Sequence, residues 1–555
     1  MAKRFTISLL LWLVLISVHA QREADNWYFG ENAGIHFKPA GVVSATDGQI
    51  WYNEGISSIS DCRGNLLFYT DGETVWNREH VMMANGAGLL GHYSATQGSL
   101  IVQHPGDCDL YYIFTLDGKE HAFANGMMYA LVDMRLQQGM GEVISKNHPL
   151  YAPSSEKLTA VRHRDGQSVW VITHEMQHSN VFHSYLVTTS GLDTTPVLSA
   201  AGAPFGQLDA LGQMKASPDG RRIAVARLYP ELVEVFDFDN STGVISNPLA
   251  IPEETFEKSS LYGLEFSPDG NKLYVTNHSI DYLNEAGSLY QFDLLAGSAQ
   301  DIIHSGVVVG ENVPQTDLRG LQLGPDGRLY VSRSLGKYVG VVNHPNKAGA
   351  ACAYVDEGIY LNGQTAGWTL PNFMVSYFDA AAAKPVESAF SFTHTCIREP
   401  TLFSVQGAPD HTRYQWDFGD GHTAAISHPA HTFQDTGTYT VSLVVTRHCC
   451  SDTSSQRIRM EHCYSEQVYV PTAFSPNQDG INDEFKVYGN GIRALDLKIY
   501  NRWGGQVFET KNADAGWDGT FRGKILNAGV FVYALSITFE NGHRQDLTGD
   551  VSLIR

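Results

Sequence analysis

The sequence predicts an all-β protein: an N-terminal β-propeller followed by two immunoglobulin-like β-sandwiches. Three observations predict it. Aromatic residues make up 11% of the 555 residues and charged residues only 17%, with 53 glycines, a mix that favours many short strands joined by tight turns. A turn, an apolar strand, a polar loop and a second strand recur six times over the first two-thirds of the chain. Beyond them, two shorter stretches each carry alternating apolar strands, the first around a Gly-Asp-Gly turn and the second between Gly- and Asn-rich turns. The length calls for several domains, and hydrophobic residues at 43% are ample for their cores.

Residues 1–20 read as a secretory leader. Lys3 and Arg4 are followed by an apolar run from Phe5 to Val18, and Val18-His19-Ala20 places small residues where a signal peptidase needs them, so cleavage is expected before Gln21. No Cys follows the run, which excludes a lipoprotein anchor. No later stretch reaches the roughly 18 apolar residues of a spanning helix, so no membrane span is predicted in the mature chain. Net charge is −21, and loss of Lys3 and Arg4 with the leader makes it −23. That balance disfavours nucleic acid and anionic lipid, and suits divalent cations, neutral glycans or a basic protein. Seven cysteines (Cys62, Cys108, Cys352, Cys396, Cys449, Cys450 and Cys463) in an exported chain read as disulfides with one left over. No CxxC pair is present to suggest a structural zinc.

The propeller is assigned to residues 21–380. Its repeats begin near 60, 105, 163, 217, 267 and 324, spaced by roughly 45 to 60 residues, the range of four-stranded blades. The three sharpest copies are SPDGRRIAVARL, SPDGNKLYVTNH and GPDGRLYVSRS. In the Pro-Asp-Gly element, Pro presets φ, Asp tolerates the bend and Gly takes the positive φ that other residues avoid. Six repeats are readable. A seventh blade is expected from Tyr354–Phe378 combined with the N-terminal segment around Asn26–Phe37, which would close the ring without free edges; six blades are the alternative. With SISDCRGNLLFYTDG and SATQGSLIVQHPG beside these turns, the region resembles the WD40-like propeller of exported proteins from gliding and related Bacteroidota. That resemblance implies a fold and no particular reaction.

Residues 386–463 follow an Ala- and Pro-containing joint. Tyr414-Gln415-WDFGDG, His428-PAHTF and Gly437-TYTVSLVV place Trp416 and Phe418 in a core and Val441, Leu443 and Val445 on one inward face. The segment resembles a PKD domain, which implies a spacer or binding module. Its Asp residues read as turn caps rather than metal ligands. A bridge from Cys396 to Cys449 or Cys450 within this domain is plausible from the order of the strands.

Residues 467–555 carry Val470-PTAFSPNQDGINDEF, LKIYNRWGGQVFET, GWDG, AGVFVYALSITF and a terminal GDVSLIR. Together these motifs resemble the gliding-motility-associated C-terminal domain, the type B signal of type IX secretion. The resemblance implies the type IX machinery as a partner and a secreted or cell-surface location. Asn477, Asp479, Asn482 and Asp483 cluster oxygen ligands on one short loop that a Ca²⁺ would accept, against a hydrogen-bonded turn as the other reading. No cofactor is required by any motif.

His174-Glu175-Met176-Gln177-His178 spells the HExxH zinc-protease signature, whose chemistry needs a helix so that both His share a face. Here the stretch lies between two predicted strands, so the match reads as chance. The repeat alignment instead brings the residues just after each apolar strand to one end of the ring: Asp71, Asp117, His174, Glu175, Arg227, His278 and Arg333. The expected function is non-enzymatic recognition of a glycan or surface protein by that face. An exported carbohydrate-active enzyme is the alternative, and a structural gliding-machinery component a third class.

Overall fold

The computed structural model describes residues 22–555 apart from 52–53, 177, 207, 229–230, 257–259, 278–285, 313–315, 380–386, 406–411, 448 and 464–465. The expected leader at 1–20 and the rim residue His278 lie outside the described residues. The chain forms two compact units. The first takes residues 1–388, 407–413 and 444–453, and the second 389–406, 414–443 and 454–555.

The first unit is a seven-bladed propeller. Six blades have innermost strands Ser57–Ser60, Ser99–Gln103, Ser154–Arg162, Met214–Ala216, Leu261–Phe266 and Asp317–Leu323. Each blade continues outward through antiparallel neighbours, and blades one and two also touch at their outer edges through Ala84 and Glu142. The Pro-Asp-Gly turns behave as the sequence requires. Ser217 and Ser267 each donate to the following Asp at 2.6 Å, and Gly220, Gly270 and Gly327 sit at φ +65°, +69° and +73°.

Chain ends close the ring, with the N-terminal segment as expected but only part of the later one. Asn26–Phe29, Ala33–Lys38 and Gly41–Ala45 form a three-stranded sheet between blade six and blade one. Tyr354–Tyr360, expected in the seventh blade, is instead the outer strand of blade six, paired with Tyr338–Val342. Only the stretch from Thr365 onward joins the seventh blade. Glu31 N donates to Thr365 O, Gly320 N to Trp368 O and Asn372 N to Ile56 O, so 365–373 occupies the innermost position between blades six and one. A Cβ on Gly30 would lie 2.3 Å from Thr365 O, which is why the crossing is made at a glycine.

Side-chain amides fill the channel. Gln97 pairs with both backbone groups of Met214, at 2.7 and 3.0 Å, and Gln213 accepts from Leu264 N and Leu321 N. Asn372 donates to Leu158 O at 2.9 Å and Ser99 O at 3.3 Å, tying the last blade to the second and third. Each amide satisfies ladder groups that face inward and have no strand partner there.

Beyond the propeller, Phe390–Thr393, Pro400–Val405 and Ala430–Thr432 form one sheet. Thr423–Ala424, Thr412–Asp417, Gly437–Arg447 and Cys450–Met460 form another. Trp416, Phe418, Val441, Leu443 and Val445 are buried as their alternation predicts. The final segment builds a five-stranded sheet in which Arg544–Leu553 lies between Ala473–Phe474 and Gly529–Phe539. Cys396 pairs with Cys463, not with Cys449 or Cys450. Ile397 N donates to Glu461 O, which brings the chain after the last strand back beside Cys396, while Cys449 pairs with Cys108 inside the first unit.

Candidate functional site: the propeller rim and channel mouth

In each blade the second strand ends where the first begins, so both termini meet on one rim. Most of the residues predicted there face inward. Asp71 accepts from Glu73 N and Thr74 N, capping its turn, and burial pushes its carboxyl up to about 6. Asp117 accepts from Gly118 N and Asn125 N, with His121 Nδ1 at 3.2 Å. Arg227 pairs with Asp209 at 2.7 Å and Glu234 at 3.4 Å, its guanidinium over the Phe205 ring. Arg333 pairs with Asp356 at 2.9 Å and Glu357 at 3.6 Å. These four are tied within their own surroundings rather than converging on a common point.

The HExxH stretch spans the end of Val169–Glu175 and the turn into Ser179–Thr188, a hairpin. His174 is buried, stacked at 3.7 Å on Phe205 and edge-on to Phe182, and burial drives its imidazole down to about 3. His178 is exposed, with φ +61°. Burial would raise the Glu175 carboxyl, but hydrogen bonds from His183 and Ser179 outweigh it and hold it below its usual range. The shared helical face that zinc-protease chemistry needs is not formed.

What does converge is a set of charged groups at the starts of the first strands. Glu156 accepts from Thr96 N and Lys119 N, both at 2.9 Å, and from Thr96 Oγ1 at 3.0 Å; burial pushes it up to about 7 despite these donors. Glu54 is driven well above the carboxylate range by burial, reinforced by the charge of Glu156 and opposed by that of Arg319. Burial lifts Asp317 to about 6 against its 2.6 Å pair with Arg319, whose guanidinium lies 4.2 Å over Trp368 and 5.3 Å over Tyr262. Lys157 donates to Leu211 O, Gly212 O and Ala226 O, and burial, then Arg227, lowers it to about 7.

Around this mouth the rim is aromatic and apolar: Trp51 is 62% exposed, Tyr93 40% and Leu335 56%. Trp51 bridges to Glu31 and Leu335 N bonds Ala366 O, which places both at the end where the closing segment enters, while Tyr93 precedes Ser94, whose side chain hydrogen-bonds Glu54 at the mouth. The sequence carried a signal for the charged groups. Glu156-Lys157 and Asp317-x-Arg319 are charges ahead of the apolar part of first strands, and an antiparallel pair puts those heads on the same rim as the second-strand ends.

In the C-terminal segment the predicted ligand loop is closed by its own bonds. Asp479 Oδ1 accepts from Ile481 N, Asp483 accepts from Gln478 N and Gly480 N, and Asn477 Nδ2 donates to Asp479; Asn482 sits in the same turn at φ +55°. In the PKD-like sandwich Asp417 and Asp420 cap Gly419 N and His422 N, as turn caps do. Asp420 also meets His431 Nε2 at 2.7 Å and His422 Nδ1 at 3.3 Å, with one donor atom of each residue within 4.8 Å of the others. That His-Asp-His set could hold a divalent transition metal with open coordination positions.

Comparison with known families accounts for the C-terminal third. Residues 468–553 match the CHU_C type IX secretion signal domain and residues 382–462 the PKD domain. The chain therefore carries a type IX secretion signal, which implies handling by that machinery and export to the cell surface or secretion. Among the described residues no helix is long and apolar enough to cross a membrane. Similar solved structures include Kuenenia stuttgartiensis hydrazine synthase, 13% identical over 60% of this chain and 81% of that one, TM-score 0.32. Pseudomonas aeruginosa periplasmic gluconolactonase, PpgL, is 15% identical over 76% and 99%, TM-score 0.32. TolB from Acinetobacter baumannii is 13% identical over 55% and 62%, TM-score 0.28. At these values none of their chemistry transfers.

Proposed function

We propose that the protein is an exported glycan-binding protein whose propeller rim, at the mouth of the filled channel, holds the ligand. The observation that carries this reading is the pair of exposed aromatic residues, Trp51 and Tyr93, close in sequence to the buried Glu54 at the channel mouth. Flat aromatic faces offer apolar area to a sugar's C–H face, and a few placed polar groups fix its orientation. A net charge of −21 suits a neutral ligand better than an acidic one. The PKD domain would space the propeller, and the signal domain would serve export alone. A glycan array probed with the mature protein tests this. Binding to a neutral glycan that falls at least tenfold in the Trp51→Ala/Tyr93→Ala variant is expected; unchanged binding in that variant removes the rim assignment.

One observation favours a second reading, a carbohydrate-active enzyme. Glu54 and Glu156 interact, and burial keeps both carboxyls high, as a general acid in glycoside hydrolysis requires. Release of reducing sugar from the bound glycan, abolished by Glu54→Gln, would establish it. Binding without release leaves the non-enzymatic reading.

A further inference from the structure

Two cross-links, Cys108–Cys449 and Cys396–Cys463, leave Cys62, Cys352 and Cys450. Cys352 is buried in blade six, within hydrogen-bonding reach of Tyr274. The other two are differently placed. Cys62 lies in the turn between Ser57–Ser60 and Leu66–Thr70, and Cys108 in the corresponding turn of blade two, between Ser99–Gln103 and Leu110–Leu116. The two turns are neighbours, because a single cleft is lined by Cys62, Cys108 and Cys449 together with Glu23, Asp61 and Tyr111. Cys62 Sγ is 4.0 Å from the carbonyl oxygen of Cys449, the residue before Cys450, and the Cys62 and Cys450 side chains hydrogen-bond one another. Both thiols are half-buried.

We propose that Cys62 and Cys450 form a third disulfide in the exported protein, beside Cys108–Cys449. Each turn of the adjacent blades would then be bonded to one member of the vicinal pair. The hydrogen bond from the Cys450 thiol favours the thiolate of Cys62, and the same bond, with burial, keeps Cys450 protonated. Cys62 is therefore the attacking sulfur. Its thiolate opens the disulfide of an oxidant in the cell envelope, and the mixed disulfide is resolved by Cys450 as its proton leaves. Two thiols lose two protons and two electrons, one Sγ–Sγ bond forms, and the oxidant departs as its dithiol. The odd cysteine expected from the count of seven would be Cys352.

The test uses the full mature protein recovered outside the cell, denatured without reductant and alkylated. One alkylated cysteine per chain, Cys352, is expected. A tryptic digest should contain a three-peptide species joining the peptides of Cys62, Cys108 and Cys449-Cys450. Cys62→Ser should leave Cys450 alkylated and reduce that species to two peptides. Cys449→Ser should free Cys108 while Cys62 stays bonded to Cys450. Three alkylated cysteines with Cys62 and Cys450 among them would overturn the proposal, and so would release of Cys62 rather than Cys108 in Cys449→Ser.

Discussion

Glu156 heads an inner strand, fully buried, and holds its proton well above the usual carboxylate range because burial outweighs three hydrogen-bond donors. The sign of its effect on stability follows. Its folded pKa, about 7, lies above the unfolded value of 4.5, so the native state binds the extra proton between those values. Its contribution is most favourable below about 4.5 and is lost as pH rises to 7. Glu156→Gln removes that dependence. The stability of the variant relative to wild type should therefore rise between pH 4.5 and pH 7.5, by up to about 3 kcal/mol. Thermal melts at the two pH values check this, and a constant difference would mean that Glu156 is charged throughout. The same scale explains why the predicted rim residues were only half legible. Their position at one end follows from strand direction, which the repeat exposes. Whether Arg227 faces solvent or Asp209 depends on the loop 205–210, which no periodicity reveals.

The elements that the sequence made clearest are those with a local physical cause. Pro-Asp-Gly needs a positive φ at its Gly, and that requirement is met at Gly220, Gly270 and Gly327 without help from the rest of the fold. The closing blade lacks such a signature, since 365–373 adopts its place through scattered bonds to Glu31, Gly320, Leu335, Gly336 and Ile56 rather than a ladder. That is why the sequence does not place Tyr354–Tyr360: a strand there reads equally well as the last of blade six, where it pairs with Tyr338–Val342. Asn372 concentrates the closure. Replacing it by Ala strips hydrogen bonds from the buried Leu158 O and Ser99 O, at a cost of about 2–4 kcal/mol. Trp51→Ala on the open rim should change stability by no more than about 0.5 kcal/mol. Urea denaturation of both variants checks the contrast; a harmless Asn372→Ala would mean that water replaces the amide.

Over the whole molecule, recognition and export are assigned to separate parts of the chain. Motifs at the C-terminus were sufficient to find the signal domain because Trp517, Phe485 and Phe474 pack around turns that the sequence spells out. The terminal strand Arg544–Leu553 is interior to its sheet, so the signal is a folded domain rather than a tail. The channel mouth stays less legible because it draws Glu54, Glu156, Asp317 and Arg319 from three blades far apart in sequence. The most direct measurement is cell fractionation combined with glycan binding, run on the full chain, a chain lacking 467–555 and the Trp51→Ala/Tyr93→Ala variant. The deletion should accumulate in the periplasm and still bind the glycan, whereas the rim variant should appear outside the cell and fail to bind. Normal export of the deletion, or glycan binding by the rim variant at wild-type strength, would contradict the account.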